Sequence, residues 1–218
     1  MNTGRNMKLL FFQWHSFMNK GIERGLKELE IPYDTFFYQF NDWEKDDAFL
    51  EQFRAYLKAG AYTDVLSVNF SPLISMLCEE LGIVYTAWVY DSPLHIRNLE
   101  SLKNSCNRIF FFDRGQAEEH RKDGVNAMHL PLAVDTEVFR INASKREKED
   151  YRTDISLVGK LYQTEYAYFT APLQGYTKGY LEGIVNAQGK VYGGYLIPEL
   201  ITDELLAQMN VEYTKVAK

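Results

Sequence analysis

The chain has 218 residues, with 24 Lys and Arg against 30 Asp and Glu for a net charge of −6. It can bury a full core but falls short of two complete α/β domains of about 100–150 residues each. The acidic balance disfavours a nucleic acid partner, no run approaches the ~18 apolar residues of a membrane span, and the apolar stretch near the start is too short for a signal peptide.

Residues 8–14 (KLLFFQW) form an apolar run of strand length. Ser16 follows as an N-cap, and Met18, Ile22, Leu26 and Leu29 recur at helical spacing. After Pro32 comes a second strand at 33–40 (YDTFFYQF). The next segment starts acidic, with Glu44, Asp46 and Asp47, carries Phe49, Phe53, Tyr56 and Leu57, and ends on Arg54 and Lys58 before Gly60 closes it. That charge order suits a helix dipole. Residues 64–69 (DVLSVN) read as a third strand. Ser71 as cap, Pro72 in the first turn, the stripe Leu73, Ile74, Leu77 and Leu81, and Gly82 as the left-handed stop then define a helix.

Residues 83–90 (IVYTAWVY) and 108–112 (RIFFF) are nearly continuous apolar runs, as strands buried on both faces of a parallel sheet require. A polar, irregular segment separates them. A helix at 116–123 stops at Gly124, and 128–134 gives a sixth strand. Strands alternating with helices predict a doubly wound parallel α/β sheet, Rossmann-like, over residues 1–139. The charged stretch 140–153 reads as a linker. Residues 154–159 (DISLVG) open a strand, and 154–218 is the incomplete start of a second domain followed by a mainly helical segment, helical at 179–188 and 198–209. That tail carries apolar stripes such as Leu200, Ile201, Leu205 and Met209. It is expected not to close its own core, and so to pack onto the first domain or onto a second copy of the chain as a homo-oligomer.

In an open parallel sheet, ligands bind at the carboxyl ends of the strands. That rule selects His15, Ser16, Asn19 and Lys20 after the first strand, and Asn69 and Ser71 after the third. It adds Asp91, Ser92 and His95 after the fourth, and Asp113 and Arg114 after the fifth. Each of these residue types also serves as a plain helix cap or packing group. Asp-Ser-Pro-Leu-His places a carboxylate, a hydroxyl and an imidazole close together in sequence, so Asp91 and His95 are the candidate acid/base or acceptor-orienting pair. His120 and His129, in a helix and on a strand, are expected to be structural. Cys78 and Cys106 sit at neither metal nor redox spacing and are expected to be reduced thiols. No metal site is expected, and the protein is expected to be cytoplasmic.

No G-x-G-x-x-G follows the first strand, and no P-loop or G-x-S-x-G occurs. The absence of any Asp-x-Asp pair argues against metal-chelated diphosphate chemistry of the GT-A type. Residues 88–94 (WVYDSPL), 111–115 (FFDRG) and above all 130–139 (LPLAVDTEVF) resemble the N-terminal domain of the spore-maturation, CgeB-like glycosyltransferases of the GT-B fold. The last is similar to the stretch that leaves the first domain of many GT-B enzymes. Residues 154–159 resemble the strand that opens their second domain. The resemblance covers about residues 7–160 and loosens beyond. It implies transfer of a sugar from a nucleotide-sugar, the co-substrate and the only cofactor-like partner expected, to an unknown acceptor. Such enzymes hold the donor chiefly in the second domain through a glycine-rich turn, a helix N-terminus and an acidic residue, a constellation not found after Gly159. The chain alone is therefore expected to be inactive, as a truncated transferase, with a non-catalytic sugar- or partner-binding module derived from such an enzyme as the alternative.

Overall fold

The computed structural model describes residues 7–139, 159 and 166–216, and the chain divides into two compact units, Met1–Ala143 and Ser144–Lys218. In the first, six strands form one sheet: β1 (Leu9–Gln13), β2 (Tyr33–Phe37), β3 (Asp64–Val68), β4 (Val84–Val89), β5 (Asn107–Phe111) and β6 (Ala127–His129). Their order is β2-β1-β3-β4-β5-β6 and every neighbouring pair is parallel. This is the α/β architecture that the alternating pattern predicts. Between the strands run α1 (Asn19–Glu28), α2 (Asp47–Gly60), α3 (Pro72–Leu81) and α4 (Arg114–Lys122), with a 3-10 turn at Leu99–Lys103. Among the described residues no helix is long and apolar enough to cross a membrane.

Successive strand side chains point to opposite faces, and the two faces are covered unequally. From one pleat, Leu10, Phe12, Val65, Tyr85, Val89, Ile109 and Phe111 pack with Phe49, Phe53 and Leu57 of α2, Ile74 and Leu77 of α3, and Ala117 of α4 in one core. From the other pleat, Leu9, Phe11 and Val68 are buried, and Leu26 of α1 is buried outside that core, which places α1 against the second face. Further along this face Leu66, Thr86, Trp88, Phe110 and Met128 keep part of their surface exposed.

Local chemistry explains most element ends. Asp46 caps α2, its Oδ1 accepting from the Phe49 amide at 2.9 Å while Oδ2 accepts from the Tyr38 hydroxyl at 3.0 Å. Replacing Asp46 by alanine should cost about 1–2 kcal/mol in a urea titration; a loss of only a few tenths would show the cap to be idle. Ser71, Pro72 and Gly82 (φ 67°) delimit α3 as their residue types predict.

Several boundaries differ from expectation, as β2 does in ending at Phe37 and as the helix expected at 198–209 does in breaking into two, and three of them have a local cause. Met18, not Ser16, occupies the N-cap of α1, because the Ser16 hydroxyl is used one residue early, accepting from the Met18 amide at 3.2 Å. Ala61, not Gly60, takes the left-handed position after α2 (φ 49°). Gly60 is required by packing instead, since a Cβ there would lie 2.0 Å from the Tyr62 ring. The sixth strand ends at His129 rather than running to Val134. Leu130 still donates to Phe111 O at 2.9 Å, but Pro131 has no amide with which to extend the ladder.

The second unit contains α5 (Tyr166–Thr170), α6 (Gly175–Gln188), α7 (Ile197–Leu200) and α8 (Asp203–Val216). Leu173, Leu181, Ile184 and Leu205 bury one another, with Tyr180, Ile197, Leu200 and Met209 around them. Glu212 of α8 ties down the start of α6, accepting from the Gln174 amide at 2.9 Å and the Thr177 hydroxyl at 2.7 Å. The tail thus closes a small core of its own, against the expectation that it could not. The linker expected at 140–153 and the strand expected at 154–159 lie outside the described residues, apart from Gly159.

Candidate functional site

The chain leaves β1 toward β2 on one side and β3 toward β4 on the other, so the topological switch point, where open α/β sheets bind ligands, falls between β1 and β3. Trp14, the first residue after β1, spans this point, its indole N–H donating to Val68 O at the end of β3 at 2.8 Å. Trp43 meets it edge to face, with ring centroids 5.0 Å apart. The floor of the crevice is therefore indole.

The residues expected after β1 spread from this floor in different directions. His15 leans toward β2, its ring 5.0 Å from that of Phe37 and its amide donating to Gln39 Oε1 at 3.1 Å. Ser16 spends its hydroxyl on the Met18 amide at 3.2 Å, while burial above all raises the Tyr90 phenol beyond its ordinary pKa. Asn19 donates to Trp14 O at 2.7 Å, and its Oδ1 is buried without a hydrogen-bond partner. Lys20 is exposed at the start of α1.

Asn69 and Asp91 come together. Asn69 is buried and holds a left-handed backbone (φ 60°), which asparagine tolerates better than most residues. Its Nδ2 donates to Asp91 Oδ2 at 2.7 Å and its Oδ1 accepts from the Tyr90 amide at 3.1 Å. One carboxylate oxygen of exposed Asp91 is thus fixed, while Oδ1 has no partner among the described residues. Ser92 accepts from Gln116 Nε2 at 3.4 Å and extends the polar rim toward α4.

Other candidates serve the scaffold. Ser71 is fully buried, its hydroxyl capping α3 at Ile74 N (3.4 Å) and its amide donating to the Tyr85 hydroxyl at 3.0 Å, so it has no surface to offer a ligand. Asp113 caps α4 through the Gln116 amide at 2.7 Å, with exposed Arg114 beside it. His120 stacks on Phe111 with centroids 4.9 Å apart, and His129 Nε2 bonds Phe112 O at 3.1 Å. Both cysteines are buried free thiols; burial pushes Cys78 well up and Cys106 up to about 12. Among the described residues no group of three or more His, Cys, Asp or Glu side chains is placed to hold a metal ion.

Among the described residues His95 makes no hydrogen bond with the Asn69–Asp91 pair, and it lines a hollow of which neither is a part. The segment after β4 reaches back to the segment after β2, and Arg97 clamps the two. Its guanidinium forks onto Asp42 at 2.7 and 2.9 Å, while the amides of Arg97 and Asn98 donate to the two Glu44 oxygens at 2.6 and 2.8 Å. Because β1 and β3 lie between β2 and β4, this latch passes over the switch point. Beside it opens a hollow of ≈ 560 Å³, walled by Asn41, Trp43, His95 and Ile96 together with the latch residues.

The Arg97 hydrogen bond, then the Glu44 amide, hold the Asp42 carboxyl below its ordinary pKa. A lowered carboxyl contributes its interaction above the unfolded value and loses it as pH falls through the folded one. The Arg97 side-chain N–H signals should therefore stay protected from solvent exchange through the ordinary carboxylate range and lose protection only in more acid solution. In Asp42→Ala, where only Glu44 still pairs with Arg97, they should be less protected throughout; equal protection in the two proteins would show the latch to be idle.

Sequence reasoning missed Trp14, Trp43, Tyr90 and Arg97, whose roles depend on partners distant in the chain. It also missed Arg24 of α1, which pairs with Asp135. Asp135 lies inside the segment that carries the family resemblance, and it organises that segment by accepting from the Glu137 amide at 3.1 Å and the Val138 amide at 3.4 Å. No protein-family model matches the chain, and no curated protein matches it.

Proposed function

We propose that the first unit is the acceptor-side domain of a GT-B type glycosyltransferase, which takes a sugar from a nucleotide-sugar when a donor-binding domain is present. The observation that carries this reading is the Asp91 carboxylate at the strand ends, fixed through Oδ2 by Asn69 and open at Oδ1. A carboxylate so held can accept the proton of an acceptor hydroxyl as that oxygen bonds to the anomeric carbon and the nucleoside diphosphate departs. Indole floor and polar rim suit a hydroxyl-rich substrate, and the resemblance of residues 88–94, 111–115 and 130–139 to CgeB-like enzymes points the same way.

A second reading, a non-catalytic sugar- or partner-binding module derived from such an enzyme, is favoured by one feature. Residues 166–216 form helices around a core of their own. A mass-spectrometric screen of the chain with nucleotide-sugars and candidate acceptors separates the two. Sugar addition by this chain excludes the binding module. If this chain and a version joined to a donor-binding domain are both inert across the screen, the transferase reading fails.

A further inference from the structure

We infer that the hollow between the segments after β2 and β4 is a binding site for a neutral pyranose sugar, held over the Trp43 indole by Asn41, His95 and Arg97. The inference rests on the transferase reading to the extent that such a sugar would be the acceptor; the binding itself needs no catalysis.

The charged groups around the hollow are already engaged. Asp42 and Glu44 spend their oxygens on Arg97 and on the Glu44, Arg97 and Asn98 amides. The carboxylates are thus unavailable to a cation, and with Arg97 and Lys45 set against Asp42 and Glu44 the local charge is balanced, so it attracts neither sign. A neutral ligand is left. Around this frame stand polar groups that make no hydrogen bond within the described residues: the Trp43 indole N–H, the Asn41 amide, the His95 imidazole and Nη1 of Arg97. They offer donors in excess, plus the acceptors of the amide and of a neutral imidazole. Alternating hydroxyls, each both donor and acceptor, match that mixture.

Shape and rigidity agree. The hollow is shallow and open, and its ≈ 560 Å³ leaves room for one sugar ring with much of its surface in water. Trp43 is held by Trp14 at 5.0 Å and by Phe40 at 4.9 Å, so the apolar surface it contributes to the lining is fixed. The Arg97 latch fixes Asp42 and Glu44 in the same lining. Because the latch crosses the switch point, a sugar seated here stands beside the loop that begins at Asp91. His95 thereby becomes an orienting group for the sugar rather than an acid/base partner of Asp91.

The test is saturation-transfer NMR of the chain with a mixture of methyl glucoside, galactoside, mannoside and N-acetylglucosaminide at millimolar concentration. Transfer to the ring protons of at least one glycoside is expected. It should weaken roughly tenfold in the double variant Asn41→Ala, His95→Ala, two exposed positions whose loss removes hydrogen bonds but no core. An amide spectrum matching the parent verifies the fold of that variant. Absence of transfer to all four glycosides, or transfer unchanged in the double variant, overturns the site. Binding without sugar transfer in the mass-spectrometric screen would leave the site standing while the transferase reading fell. Transfer of sugar to a non-carbohydrate acceptor, with no glycoside binding, would do the reverse.

Discussion

Phe12→Ala should lower the stability of the first unit by about 3–5 kcal/mol, a large share of the roughly 5–15 kcal/mol that holds a domain together. Phe12 is fully buried in β1, and its ring lies 5.6 Å from Phe40, 5.7 Å from Phe49 and 5.6 Å from Phe53. It joins the strand beside the switch point to α2 and to the segment after β2. Truncation leaves a cavity among rings that cannot all close on it, which adds to the lost transfer free energy. The damage should reach the site, because Phe40 contacts both Phe12 and Trp43. The measurement is a urea titration beside Phe37→Ala. Phe37 is 53% exposed at the end of β2, and its loss should cost well under about 1 kcal/mol. Similar midpoints for the two variants would mean that the aromatic cluster is not the keystone its burial indicates.

The parallel sheet was legible because its strands announce themselves. Runs such as 83–90 and 108–112 are apolar on both pleats, and each is separated from the next by a segment long enough for a crossover. Errors fell where one residue type has two uses. Gly60 looks like a helix stop because glycine favours positive φ, yet it is there to let Tyr62 approach, and the neighbouring alanine bears the left-handed backbone. Leu130 and Leu132 continue an apolar run past β6, but Pro131 ends the ladder. The site was legible to the depth of one rule: strand ends carry ligand groups, which selects Asn69 and Asp91 but cannot say that they bond each other. The latch was invisible, since Arg97 and Asp42 are 55 residues apart and no local pattern links them. Nor could stripes alone show that the tail's helices cover each other. What decides it is the docking of α8 on α6 through Glu212, a contact over 35 and 38 residues.

Asp91→Asn should leave the fold intact and reduce sugar transfer, in a version of the protein joined to a donor-binding domain, by about 10²–10⁴-fold. Both halves follow from the same hydrogen bond. Asp91 Oδ2 accepts from Asn69 Nδ2 at 2.7 Å, and an asparagine carbonyl oxygen can accept that bond equally well. The loop after β4 and the left-handed turn at Asn69 therefore keep their tie, and the change in stability should stay within roughly 0.5 kcal/mol, as for an exposed substitution. What the amide cannot do is take a proton from an acceptor hydroxyl, so the attacking oxygen loses its base while the indole floor and the Arg97 latch remain. A companion, Asp91→Ala, loses the tie as well and leaves Asn69 Nδ2 without its partner, at a cost of about 1–3 kcal/mol where that group is buried. Chemistry and scaffold are then separated by the order of the variants. Equal loss of transfer in both, with melting lowered only in the alanine variant, identifies Asp91 as the base. A large fall in melting temperature for Asp91→Asn, or transfer at the parent rate in that variant, would make Asp91 a strut between β3 and β4, and the proton acceptor would have to be sought elsewhere along the strand ends.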